Sequence, residues 1–168
     1  KMEPYWGTTN PSDYKYNKDV FTLAVKCASD FITKHENENT DERRAQVAFL
    51  QYLLFQVKNV SPTHYISSNQ LVAVIREYLN HRITKNFLFR RVIAPLRDDG
   101  IIIASCSHGY KIPVSVEDIT TYLNQTHTIV SPMLHRVEVC RKLVLENTHG
   151  KFDILDAPAF IRYKKYFD

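Results

Sequence analysis

Lys85, Asn86, Arg90 and Arg91 fall within two turns of one amphipathic segment. Their chemistry is that of polyanion grip and base recognition. A guanidinium donates two parallel bonds to guanine O6 and N7, and an Asn amide matches adenine N6 and N7 in the same way. Lysine neutralises phosphate. Thr84 precedes them and joins the set, as the residue that caps the segment. Downstream, Ser107, His108 and Lys111 surround a short polar tip between two apolar runs, placed to touch phosphate or line a minor groove. An ordinary hairpin tip must also be hydrophilic, so the same three residues equally fit a solvated turn.

Catalytic patterns are missing. The chain has no P-loop, G-x-S-x-G, H-E-x-x-H or G-x-G-x-x-G, and four glycines leave little material for a phosphate cradle. The seven histidines are scattered without ligand spacing. Cys27, Cys106 and Cys140 form no CxxC pair, so neither a metal site nor a disulfide framework is indicated. Asp13-Tyr14-Lys15 has the D-x-K spacing of the metal-binding half of many nucleases, without the second carboxylate such a site needs. The sequence therefore predicts no catalytic residues, no metal and no cofactor, and reads as a binding module rather than a self-contained enzyme.

The elements that position these residues follow from periodicity. Residues 1–18, with Pro4, Gly7 and Pro11, read as an extended arm. Helices are predicted from Asp19, as N-cap, to about His35, and from Asp41 to Lys58. Tyr65-Ile66 suggests a short strand. Ser67 or Ser68 then caps a helix that points Leu71, Val72, Ile75, Tyr78 and Leu79 inward, and Asn80-His81 ends it.

Thr84 opens the next helix, about 84–98, which Gly100 stops and in which Pro95 disturbs the last turn. A helical wheel puts Leu88, Phe89, Val92, Ile93 and Leu96 on its buried face, with Phe87, Arg90, Ala94, Arg97 and Asp98 opposite. Two extended runs, 101–105 and 109–112, joined through Cys106-Ser107-His108, form a hairpin. Tyr110 is expected to pack between hairpin and helix. Further helices are expected at about 115–125, 132–147 and 157–166, with Pro132 in a first turn and Asp153 and Asp156 before the last one.

The fold class is thus mainly α with one small β-hairpin. Its parts are an arm (1–18), N-terminal helices (19–60), a helix-helix-hairpin core (61–113) and a C-terminal helical extension (114–168).

The run Val92-Ile93-x-x-Leu96-Arg97-x-x-Gly100-Ile101-x-Ile103-x-Ser105-x-x-x-Gly109-Tyr110-x-Ile112 resembles the recognition-helix and wing segment of biotin-repressor-type winged helices, also found in phage-associated proteins. The resemblance covers about residues 60–113, and Pro95 departs from the usual pattern. It implies a winged helix-turn-helix that binds double-stranded DNA, with helix 84–98 in the major groove and wing 101–112 on the backbone. Such a module serves a transcription regulator or the recognition part of a larger DNA-processing enzyme.

Charge fits that implication. Between Arg76 and Lys111 lie seven basic and three acidic residues, an excess equal to the whole chain's formal +4. Phosphate neutralisation requires such a concentration, although solvated helix faces also carry Lys and Arg. Arg136, Arg141, Lys142, Arg162, Lys164 and Lys165 are interleaved with acids or aromatics and read as a solvated surface.

No apolar run approaches the roughly 18 residues of a membrane span, and no signal-peptide pattern opens the chain. A soluble cytoplasmic protein is expected. Lys1 ahead of Met2 suggests a fragment of a longer protein. Two other readings stay open: a winged helix used for protein contacts or homodimerisation, which the wide apolar stripes allow, and a nuclease fragment.

Overall fold

The computed structural model describes residues 15–168. Residues 1–14, with most of the expected arm and with Asp13 and Tyr14 of the D-x-K triplet, lie outside the described residues. The molecule is mainly helical with one two-stranded antiparallel sheet. It divides into two compact units at Leu123/Asn124.

In the first unit, α1 (Lys18–His35) packs on α2 (Asp41–Asn59). The cap of α1 is Asn17, not Asp19. The Asn17 side chain accepts the Val20 N–H at 3.0 Å, and this amide oxygen caps as well as a carboxylate would. Thr40 caps α2, whose Phe49, Leu50 and Leu53 are fully buried and form the centre of the core. A chain turn leads to Ser67, which caps α3 (Ser68–Leu79) through Gln70 N. Leu71, Ile75 and Leu79 of α3 face inward as expected, whereas Tyr78 is half exposed, with the Arg44 guanidinium over its ring.

The expected helix 84–98 is broken into three stretches: α4 (Lys85–Phe87), a π-helical stretch (Leu88–Ile93) and α5 (Ala94–Asp98). Pro95 supplies the reason. In a regular α-helix its ring would press on the carbonyl of Arg91, and it has no N–H to give that carbonyl. The backbone widens instead, so that Ala94 N–H reaches back five residues to Phe89 O. Gln46 of α2 donates its Nε2 to Arg91 O at 2.9 Å.

The slower rotation of the π stretch changes which side chains are buried. Leu88, Val92, Ile93 and Leu96 face the core as the wheel predicts. Phe89 and Phe87 do not follow it: Phe89 is 52% exposed, and Phe87 packs against the core. The wheel assumed 100° per residue, and the π stretch turns less than that.

Gly100, at φ +86°, ends α5. The hairpin is shorter than expected, β1 (Ala104–Cys106) and β2 (Gly109–Lys111), with Ser107-His108 as a two-residue tip. Ile66 adds a third rung, since it exchanges both backbone bonds with Tyr110 at 2.8 and 2.9 Å. A Cβ on Gly109 would lie 2.0 Å from Ile66 O, so only glycine permits that pairing. Tyr110 meets Phe49 edge-on, ring centroids 6.5 Å apart. Ser115 then caps α6 (Val116–Asn124), accepting from Asp118 N at 3.0 Å.

In the second unit, α7 (His127–Asn147) begins five residues before the expected start, so Pro132 lies inside the helix. The Thr126 carbonyl holds that first turn by accepting from Ile129 N and Val130 N. The expected helix at 157–166 is absent. Asp153 caps a 3₁₀ turn (Ile154–Asp156), and a second one spans Ile161–Tyr166. Ala157 precedes Pro158 and takes the extended backbone that a following proline imposes. Arg141, read from sequence as a solvated side chain, forks onto Asp153 and also reaches Asp168, both at 2.8 Å. Leu155 is the buried apolar residue of this unit among those described. No helix among the described residues is long and apolar enough to cross a membrane.

Candidate nucleic-acid interface

Thr84, Lys85, Asn86, Arg90 and Arg91 stand on one element and are all exposed. Thr84 Oγ1 accepts the Phe87 N–H at 3.0 Å, so its hydroxyl is a cap. The turn before it is built by Asn80, whose left-handed backbone (φ +58°) reverses the chain after α3. His81 braces the same turn through Asp41 of α2, Nε2 to Oδ2 at 2.9 Å. The Arg82 carbonyl and then the Asp41 carboxylate raise its pKa above the ordinary histidine value.

The cations divide into two groups. Arg91 is matched to Glu42 at 3.5 Å, Arg43 to Glu38, Arg44 to Asp41, Lys15 to Glu117 and Lys26 to Asp30. Arg76, Arg82, Lys85 and Arg90, along the end of α3, the turn and the next helical segment, make no ion pair among the described residues. Lys18, Lys34, Lys58, Arg136 and Lys151 also make no ion pair among the described residues, but they are scattered, whereas these four follow one another along adjoining elements. Lys85, Asn86, Phe89 and Arg90 recur at one-turn spacing and share the outward stripe of the segment.

The hairpin differs from expectation. Ser107 and His108 are exposed at its tip, where the His108 N–H approaches Cys106 Sγ at 3.3 Å. Lys111 is not there to grip phosphate. It is 2% exposed, with Nζ 2.5 Å from Asp118 Oδ2 and the Tyr65 ring at 5.5 Å. Burial pushes its pKa down, and the Asp118 charge opposes that shift. The same carboxylate accepts Val114 N at 2.9 Å and Tyr65 OH at 3.4 Å, tying hairpin, bridge strand and α6 together.

Arg97, expected on the outer helix face, is likewise drawn into the fold. Its Nη2 donates to Ile103 O at 2.8 Å and Ser105 Oγ at 3.0 Å, and its guanidinium lies 3.8 Å from the centroid of the Tyr122 ring. Burial lowers its pKa. Both corrections share a cause. A long cation next to apolar sequence buries its stem when a distant partner, Asp118 or Tyr122, is carried in by α6. The unbroken apolar run Ile112-Pro113-Val114 after Lys111 was the available sign. Phe89 was the residue missed, because only the π stretch turns it outward.

Among the described residues, no group of three or more His, Cys, Asp or Glu side chains could hold a metal ion. The three cysteines are free.

No family model, curated protein or solved structure matches this chain.

Proposed function

We propose that residues 41–112 form a winged helix-turn-helix that binds double-stranded DNA, with the segment 84–98 in the major groove and the Ser107-His108 tip beside the backbone. The element order supports it: α2, the Ile66 strand, α3, the segment 84–98, then β1 and β2. That is the order of a winged helix, in which the third helix reads bases. The observation that carries the reading is the unmatched cation run Arg76, Arg82, Lys85 and Arg90 on that helix pair, with Asn86 exposed beside it. Phosphate is the partner such a run lacks.

In this reading Lys85 and Arg82 hold backbone phosphates, while Asn86 and Arg90 reach base edges from the first turns of the helix. Lys111 and Arg97 fix the wing's attitude from inside. The module acts alone as a regulator or supplies recognition to a larger DNA-processing protein.

Selection of bound duplexes from a random pool, repeated with Asn86→Ala and Arg90→Ala, tests the assignment. Each substitution is expected to relax one position of the selected site, costing about 1–3 kcal/mol of discrimination there. A pool that shows no enrichment with the unsubstituted protein would reject base reading.

A further inference from the structure

We propose that Phe89 is a specificity contact that recognises the 5-methyl group of thymine, so that the helix favours a T·A pair next to the base read by Asn86. The inference rests on the DNA-binding reading above and names what one more residue of that surface does. Three observations lead to it. Phe89 is 52% exposed although its neighbours Leu88, Val92 and Ile93 are fully buried. Its outward turn comes from the π stretch that Pro95 imposes, a rare local geometry that is frequent at functional sites. It also lies one helical turn from Lys85 and Asn86 and adjoins Arg90, so this apolar ring stands inside the polar stripe rather than at its margin.

A phenyl ring offers no hydrogen bond, so phosphate and most base edges give it nothing. The thymine methyl is the one apolar group that a base pair presents in the major groove. An Asn that pairs with adenine and a Phe that covers a thymine methyl are compatible on neighbouring pairs, and together they favour A·T-rich steps.

The test uses the full chain and alternating d(AT) and d(AU) duplexes, which differ by that methyl group, together with d(GC) duplexes with and without 5-methylcytosine. The unsubstituted protein is expected to bind d(AT) about fourfold more tightly than d(AU), the worth of one buried methyl. Methylation of d(GC) should strengthen binding in the same direction. Phe89→Ala should bind d(AT) and d(AU) alike with an unchanged salt slope, and Phe89→Leu should keep part of the preference. Because Phe89 is exposed, both variants should keep the parent's melting temperature. Equal binding of d(AT) and d(AU) by the unsubstituted protein overturns the inference while leaving DNA binding intact. So does a preference that survives in Phe89→Ala. Absence of salt-dependent binding to any of the duplexes overturns the parent reading, and this inference with it.

Discussion

The Gln46 amide of α2 donates to the carbonyl of Arg91 at 2.9 Å, across a separation of 45 residues. Its other end accepts from Arg43 Nη1 at 3.0 Å, so a buried amide is used at both ends. Arg91 O is the carbonyl that Pro95 cannot serve, and Gln46 thereby compensates for a proline inside the segment that faces solvent with Lys85, Asn86 and Arg90.

A double-mutant cycle follows. Gln46→Ala is expected to destabilise the protein by about 1–3 kcal/mol, the cost of an unsatisfied buried polar group. In a Pro95→Ala background the restored N–H can serve Arg91 O, and the same substitution should cost less. Urea denaturation of the four proteins gives the coupling. Strict additivity would mean that the Gln46 bond does not answer to Pro95.

Lys111→Ala should act on stability and not on nucleic-acid affinity. Removing Lys111 leaves Asp118 largely buried and without its cation. Breaking a buried pair in this way costs about 3–5 kcal/mol, and the low end is expected here because Asp118 keeps the Val114 N–H. Thermal melting reads the loss. A variant that melts like the parent would place Lys111 in solvent.

His81 gives the turn between α3 and α4 a pH dependence of definite sign. Its pKa is raised in the folded state by the Arg82 carbonyl and Asp41. The stabilisation is therefore fully present below the unfolded value, about 6.5. It is lost as pH rises through the higher folded value. The difference in melting temperature between the parent and His81→Gln should shrink as pH climbs from about 6 through that window. A difference that stays constant would show that the His81–Asp41 bond carries no charge.

Asp153 predicts the opposite direction in the second unit. The Arg141 bond holds its pKa down to about 2. Its contribution is present above the ordinary carboxylate pKa near 3.8 and fades as pH falls towards 2. Tyrosine fluorescence followed during acid titration should show a step in that range that Asp153→Asn removes. The same step in the variant would assign it to another carboxylate.

Much of the framework was legible in the sequence because its signals are local. Thr84 and Ser67 cap where hydroxyls precede apolar periods, Asn80 and Gly100 end helices where left-handed backbone is needed, and Ser115 opens α6. The Ile66 strand was visible as a Tyr-Ile pair between turns. What escaped depends on contacts far along the chain. Lys111 and Arg97 look like surface cations until α6 brings Asp118 and Tyr122 to them. The exchange of Phe87 and Phe89 escaped because Pro95 acts six residues upstream by inserting a π stretch, which no fixed-period wheel contains. Arg141 escaped for the first reason, since Asp153 and Asp168 lie beyond the end of its own helix. Arg90 was readable as exposed from the helical wheel, and Ser107 and His108 from their place at a polar hairpin tip; Lys85 and Asn86 were read from residue type in the first turn of the helix.

The salt dependence of duplex binding tests the central proposal most directly. Anisotropy of a labelled duplex, measured between about 50 mM and about 200 mM salt, gives a slope of log K on log salt near −0.9 for each phosphate contacted. The unsubstituted protein is expected to show a steep slope. Replacing Arg82, Lys85 and Arg90 together by Gln should flatten it by about one unit for each residue that grips phosphate. Their exposure means that the melting temperature should stay at the parent value. No binding by the unsubstituted protein at the lowest salt, or a slope identical in the triple variant, would contradict the proposal.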